Sequence, residues 1–267
     1  MNLIKNILWC LLFLLLCIAD NGQALDWQEV KGTHFVSCYN RAADRVMAEN
    51  ALRRAEEYYR NIASTIGYAR YANFWTWGDR VKIFLFSSQQ AFLDETKQPQ
   101  WSRGGAFYSE SLGQRAIATY LNQPLLFSEV LPHEIAHLIL TDFIGSESVV
   151  PKWFSEGVAQ LAEENKTQKA DLIMRISVRF HTYFPIESLE RYDIARERDA
   201  QKVGLFYAQS VSMVDFLIKR FGSEKFGLWC RQIATGKNFF EAFRLVYGLY
   251  IESWDNFEKK WIAYLNE

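Results

Sequence analysis

Residues 133–137 read His-Glu-Ile-Ala-His. On a helix, positions i and i+4 differ by about 40° of rotation, so His133 and His137 project from one face with converging imidazoles. That spacing suits the first two nitrogen ligands of a tetrahedral zinc. Glu134 lies about 100° further round the helix. It can reach a water at the metal without binding the metal itself, which suits a general base. Ile135 and Ala136 are uncharged, as a buried site helix requires. The bland reading is a helix with two satisfied histidines. Against it, the chain has only four histidines, and two of them stand at ligand spacing.

A third ligand is offered where a second helix should begin, at Glu156 in Pro-Lys-Trp-Phe-Ser-Glu-Gly-Val-Ala-Gln-Leu-Ala-Glu, residues 151–163. Eighteen residues separate it from His137. They suffice to finish one helix, turn through Gly145-Ser-Glu-Ser and enter an antiparallel neighbour. Gly157 leaves room for a close approach of backbone or metal. Glu163 falls seven residues on, within about 20° of the same helical face. It is either an acceptor for the far nitrogen of a ligand imidazole or a solvated carboxylate.

The elements that must hold these groups follow from periodicity and punctuation. Residues 33–39 read as a short strand carrying His34, which is expected on the strand surface and not in the site. Residues 42–66 read as an amphipathic helix closed by Gly67. Residues 81–86 are apolar on both faces and predict a central strand. A short helix is expected over 88–97. In Gly104–Leu121 the Gly pair, the Ser-Leu-Gly turn and the alternation in Ala-Ile-Ala-Thr-Tyr predict a looping edge and a strand. The part near Ile117 to Tyr120 is a candidate edge for an extended substrate. The site helix should start near Ser128 and run through Leu140, with Pro132 in its first turn, where a missing amide is tolerated. A helix over 152–164 follows, with Pro151 just ahead of it. From about residue 204 the chain reads as helical, punctuated by Gly222, Gly236 and Gly248, with Asn238 and Glu241 resembling a capping box. The last helix carries Trp254, Phe257, Trp261 and Leu265 as its apolar stripe. Strands early and helices late predict one α+β domain.

His-Glu-Ile-Ala-His, eighteen residues, and then Glu within Trp-Phe-Ser-Glu-Gly resembles the gluzincin zinc metallopeptidases. The remainder is similar to the stand-alone peptidase MA-like domains, which share a Gly-Gly segment ahead of the site helix. They also share a helix start like Tyr207-Ala-Gln-Ser210 and a tail ending in a Trp-containing helix. The resemblance covers most of 33–267, and its specific part is the metal motifs. It implies a thermolysin-like zincin core with a small mixed sheet and a helical C-terminal half. It also implies zinc held by His133, His137 and Glu156, with Glu134 as general base. Zinc would supply an acidified water and a polarised carbonyl. The resemblance further implies Tyr207 as the donor to the developing oxyanion, with His181 and Tyr183 as runners-up. A Gly-x-Met-Glu-Asn segment for gripping a free amino terminus is missing. Gly104-Gly105-Ala106-Phe107 occupies its place in chain order without the acid, so endopeptidase action is expected over exopeptidase action.

The first residues read as an address. Lys5 precedes an apolar run from Ile7 to Ala19, about 13 residues, which suits a signal peptide and is short for a span of about 20. Gly22 and Ala24 sit where a cleavage before Leu25 would need them, giving a signal over 1–24 and a metallopeptidase domain over 25–267. The alternative is an uncleaved anchor. The expected location is periplasmic or extracellular, with no stable membrane span once the signal is removed. Of four cysteines, Cys10 and Cys17 lie in the export segment, which leaves Cys38 and Cys230 paired or as free thiols. Thirty Lys+Arg against 31 Asp+Glu give a net charge of −1 without a basic stripe, which argues against a nucleic-acid partner. A peptide or protein is the expected partner, and the sequence leaves the oligomeric state open. Two rival readings remain: a non-catalytic zinc module that holds a peptide or partner, and an envelope interaction protein built on its aromatic helices. The intact Glu134 argues against the first.

Overall fold

The computed structural model of the chain describes residues 26–68, 75, 79–109 and 114–267. The export segment and the Ser-Leu-Gly turn at 111–113 lie outside the described residues. The chain forms two compact units, one comprising the residues through Tyr58 with Phe74–Leu138, the other Tyr59–Asn73 with Ile139–Glu267.

The first unit is built on a five-stranded sheet: β1 (Gln28–Lys31), β2 (Phe35–Tyr39), β3 (Val81–Phe86), β4 (Gly104–Ser109) and β5 (Gln114–Tyr120), in the order β1-β2-β3-β5-β4. β3 is central as expected, parallel to β2 on one side and to β5 on the other. β1 and β4 pair antiparallel at the two edges. Val81, Ile83 and Leu85 are buried on one face of β3, and Phe86 is buried on the other. There Phe86 packs with Phe92, Ala118 and Tyr120, with Trp27, Phe84 and Phe107 around them. Phe92 comes from α2 (Gln89–Thr96), whose N-cap Ser88 accepts from the Ala91 amide. Helix α1 (Arg45–Thr65) follows a 3-10 turn at Ala42–Asp44 and supplies Glu56, which accepts from the His34 amide and meets the His34 ring at 2.6 Å. His34 is thus clamped just ahead of β2 and half-buried, not on the strand surface as expected.

One strand is additional to those expected and one expectation is corrected. β1 was not foreseen, because Gln-Glu-Val-Lys is polar and carries no apolar alternation. The strand through Ile117–Tyr120 is not an edge, because β3 and β4 occupy both of its sides; the edge strand is β4.

The chain leaves β5 and enters the site helix through a wide π turn at Leu126–Val130, where the Val130 amide bonds the Leu125 carbonyl at 3.1 Å. Helix α3 (Leu131–Ile144) therefore begins three residues later than expected and continues to Ile144. Pro132 is its second residue. A proline in regular helix would press its ring on the carbonyl four residues back, and the widened turn relieves that clash.

The second unit is helical: α4 (Lys152–Leu161), α5 (Lys166–Arg179), α6 (Ile186–Leu189), α7 (Ala200–Phe221), α8 (Ser223–Ala234), α9 (Phe239–Tyr247) and α10 (Trp254–Leu265). Its core is aromatic. Trp153 and Phe154 on α4 lie 5.7 and 5.1 Å from Phe239, and Phe154 lies 4.7 Å from Trp229. Trp254, Phe257 and Trp261 of the last helix are buried as the stripe predicts. Asn238 caps α9 by accepting from the Glu241 amide. Gly222 and Gly236 take the left-handed φ of helix stops, whereas Gly248 stays right-handed. Helix α7 starts at Ala200, a full turn before the expected 204, because Asp199 accepts from the Gln201 and Lys202 amides. An early α+β arrangement with a small mixed sheet and a helical C-terminal half agrees with a zincin-like core. Among the described residues, no helix is long and apolar enough to cross a membrane.

Candidate metal centre

His133 and His137 stand one turn apart on α3, both half-buried, with Ile135 and Ala136 between them fully buried. Their Nε2 atoms are 3.1 Å apart and their rings are edge-to-face at 4.7 Å. At that separation one ring can donate to the other, and a single cation is within reach of both. Glu134 follows on the same helix and is also half-buried.

Glu156 sits on α4, and the local sequence explains its orientation. Trp153, Phe154 and Gly157 share one face of the helix and are buried; Glu156 points about 60° away from that face and remains half-buried. The two aromatic residues fix the helix in the core described above. Gly157 fixes its approach to α7, since a Cβ there would stand 2.4 Å from the Ser210 carbonyl oxygen and 2.7 Å from Val214 Cγ2. The glycine thus serves close helix packing.

One ligand atom from each of His133, His137 and Glu156 lies within 4.8 Å of the other two. These three form the group of His, Cys, Asp or Glu side chains among the described residues that could hold a metal ion. Two imidazole nitrogens bound tetrahedrally at about 2.0–2.1 Å would stand roughly 3.3 Å apart, close to the spacing present here. Two nitrogens and one carboxylate oxygen form the donor set of zinc sites that keep an open position. They do not suit calcium, which needs six to eight oxygens.

Tyr207 lies two turns inside α7, not at a helix start as the sequence suggested, and one turn before Ser210. It is half-buried. Its phenol pKa is pushed up to about 12, first by burial and then by the negative charges of Glu156 and Glu163. Glu163 lies beyond the end of α4, which stops at Leu161, and is buried against Lys166 with an ion pair of 2.9 Å. The solvated alternative for this carboxylate is therefore set aside.

The runners-up are placed differently. His181 is exposed in a left-handed turn, with φ of 52°. The Tyr183 hydroxyl donates to Glu258 at 3.3 Å, and burial, followed by that carboxylate's charge, raises its pKa. Sequence reasoning missed Gln209, which is fully buried. Its side-chain amide accepts from the Phe184 N–H at 2.9 Å and donates to the Phe184 C=O at 2.7 Å. A glutamine inside the apolar stretch of α7 was the available signal, since a buried amide has to find partners. Cys38 and Cys230 are both buried free thiols in the structure.

Compared with protein-family models, residues 75–267 match the model described as Peptidase MA superfamily. No curated protein matches the chain.

Proposed function

Because the chain belongs to the Peptidase MA superfamily, we propose that it is a zinc-dependent endopeptidase of the gluzincin type. In this reading it is exported and acts on peptide or protein substrates in a periplasmic or extracellular space. The observation that carries this reading is the convergence of His133, His137 and Glu156 ligand atoms within 4.8 Å. In this reading those three side chains hold zinc, which when bound acidifies a water and polarises the scissile carbonyl.

The remaining steps belong to the chain's own groups. Glu134, adjacent to His133 and outside the ligand set, takes the proton from the attacking water and returns it to the leaving amine. Tyr207 keeps its proton throughout the neutral range, because its pKa stands near 12. Its hydroxyl donates to the oxyanion as negative charge builds there. Glu163 holds Lys166 at 2.9 Å, and its charge adds to that of Glu156 in keeping the phenol protonated. The edge strand β4 offers backbone donors and acceptors to an extended peptide, which would add as a further strand.

The test is hydrolysis of a denatured, fluorophore-quenched protein substrate by the full chain. Glu134→Gln should lower turnover by at least about a hundredfold while leaving metal content unchanged. Equal turnover in both proteins would remove Glu134 from the reaction and with it this mechanism.

A further inference from the structure

Helix α5 takes no part in the site, yet its outer face is apolar. Leu172, Ile173 and Ile176 are 63, 43 and 53% exposed, and Phe180 at the helix end is 68% exposed. At about 100° per residue these four fall within roughly 100° of the helix circumference. Lys169 lies inside the same arc, and Arg175 and Arg179, both exposed, border it on one side. The opposite side is different: Ala170, Met174 and Ser177 are buried.

The charge distribution is one-sided. Asp171 is the one acid in α5, and it lies outside the arc, where it interacts with Asp215 and Lys219 of α7. Glu163, just before the helix, is paired with Lys166. The exposed arc and its arginine border thus combine four apolar side chains with three cations and no carboxylate. A second copy of the chain docked through this arc would set cation against cation. An anionic surface satisfies both components, because apolar side chains can enter it while Lys and Arg keep their charged ends at the headgroups.

We infer that α5 docks on a bilayer surface containing anionic phospholipid, lying in the interface with Leu172, Ile173, Ile176 and Phe180 inward. A contrasting patch exposes two apolar side chains without the charge bias. Leu245, 60% exposed, shares its surroundings with Glu241, Arg244 and Glu252, and Leu249, 96% exposed, shares its own with Arg220, Lys260 and Glu267. That patch serves as the control.

The test uses the full chain with vesicles of phosphatidylcholine alone and of phosphatidylcholine with an equal part of phosphatidylglycerol. Amide hydrogen exchange is followed over residues 166–181. Whatever the first residues contribute to binding is common to every variant. Each cation near an anionic surface contributes about a factor of five in partitioning, so three give on the order of a hundredfold. Exchange in 166–181 should slow on the phosphatidylglycerol vesicles and not on phosphatidylcholine. The slowing should be lost at raised salt, and in the variants Lys169→Glu/Arg175→Glu/Arg179→Glu and Leu172→Ser/Ile176→Ser/Phe180→Ser. Leu245→Ser/Leu249→Ser should leave it intact. Three results would overturn the inference: no slowing in the unaltered chain, slowing that survives both triple variants, or slowing without vesicles that follows protein concentration. The last would identify a second copy as the occupant.

Discussion

The backbone of Ser210 touches the place where Gly157 would carry a side chain, with only 2.4 Å between that position and the Ser210 carbonyl oxygen. Glu156 precedes the glycine by one residue and Tyr207 precedes the serine by one helical turn. The contact therefore ties the helix that carries the Glu156 carboxylate to the helix that carries the phenol whose pKa it raises.

Gly157→Ala should consequently damage both stability and turnover. Alanine favours helix by about 1 kcal/mol over glycine, but its methyl meets backbone that cannot rotate away. Overpacking of this kind costs about 1–3 kcal/mol. Denaturant unfolding should show a net loss, and kcat should fall as Tyr207 is displaced. An unchanged midpoint with unchanged kcat would mean that the helices separate freely there.

Tyr207→Phe removes the hydroxyl and leaves the ring packed beside Phe206. If the phenol serves the oxyanion, kcat should drop by about 10²–10³ with KM and metal content little changed. A variant that loses metal instead would make Tyr207 a support for Glu156.

Gln209 ties the chain at Phe184 through both of its amide groups. Gln209→Ala leaves the half-buried Phe184 N–H and C=O without those partners, at a cost of about 1 kcal/mol or more. Hydrogen exchange at Phe184 should accelerate together with the loss of global stability. Acceleration without global loss would confine the clamp to local ordering of that segment.

Burial holds the Cys38 thiol up to about 12 and raises Cys230 further in the same direction. At pH 8 the thiolate fraction of Cys38 is then roughly one in ten thousand. With Cys10 and Cys17 replaced by serine, the native chain should resist a thiol reagent, and unfolding should release both remaining thiols. Raising the pH toward 12 favours the thiolate and should speed reaction of Cys38. No thiol after unfolding would indicate a disulfide.

The sequence and the structure agree best where the determining physics is local. The His133/His137 pairing needs only the pitch of one helix, and the burial of Ile135 and Ala136 follows from it. Strand β3 was legible because its residues are apolar on both faces. Glu156 was offered by its eighteen-residue spacing from His137 at the start of a second helix, and in the structure Trp153, Phe154 and Gly157 take the buried face of that helix and leave the carboxylate half-buried. What escaped depends on distant partners or on caps. The alternation in β5 identifies a strand but not which strands flank it, so the edge was assigned to β5 instead of β4. The start of α7 is set by the Asp199 cap, a full turn before the expected 204. The polar β1 had no signal beyond its pairing with β2.

The most direct measurement of the central claim is the metal content of the purified full chain beside its His133→Ala, Glu156→Gln and Glu134→Gln variants. The account predicts close to one zinc per chain, retained in Glu134→Gln and lost in the other two. Absence of zinc from every protein after reconstitution would contradict it, as would equal zinc in all four; either result would reduce His133, His137 and Glu156 to a packing arrangement.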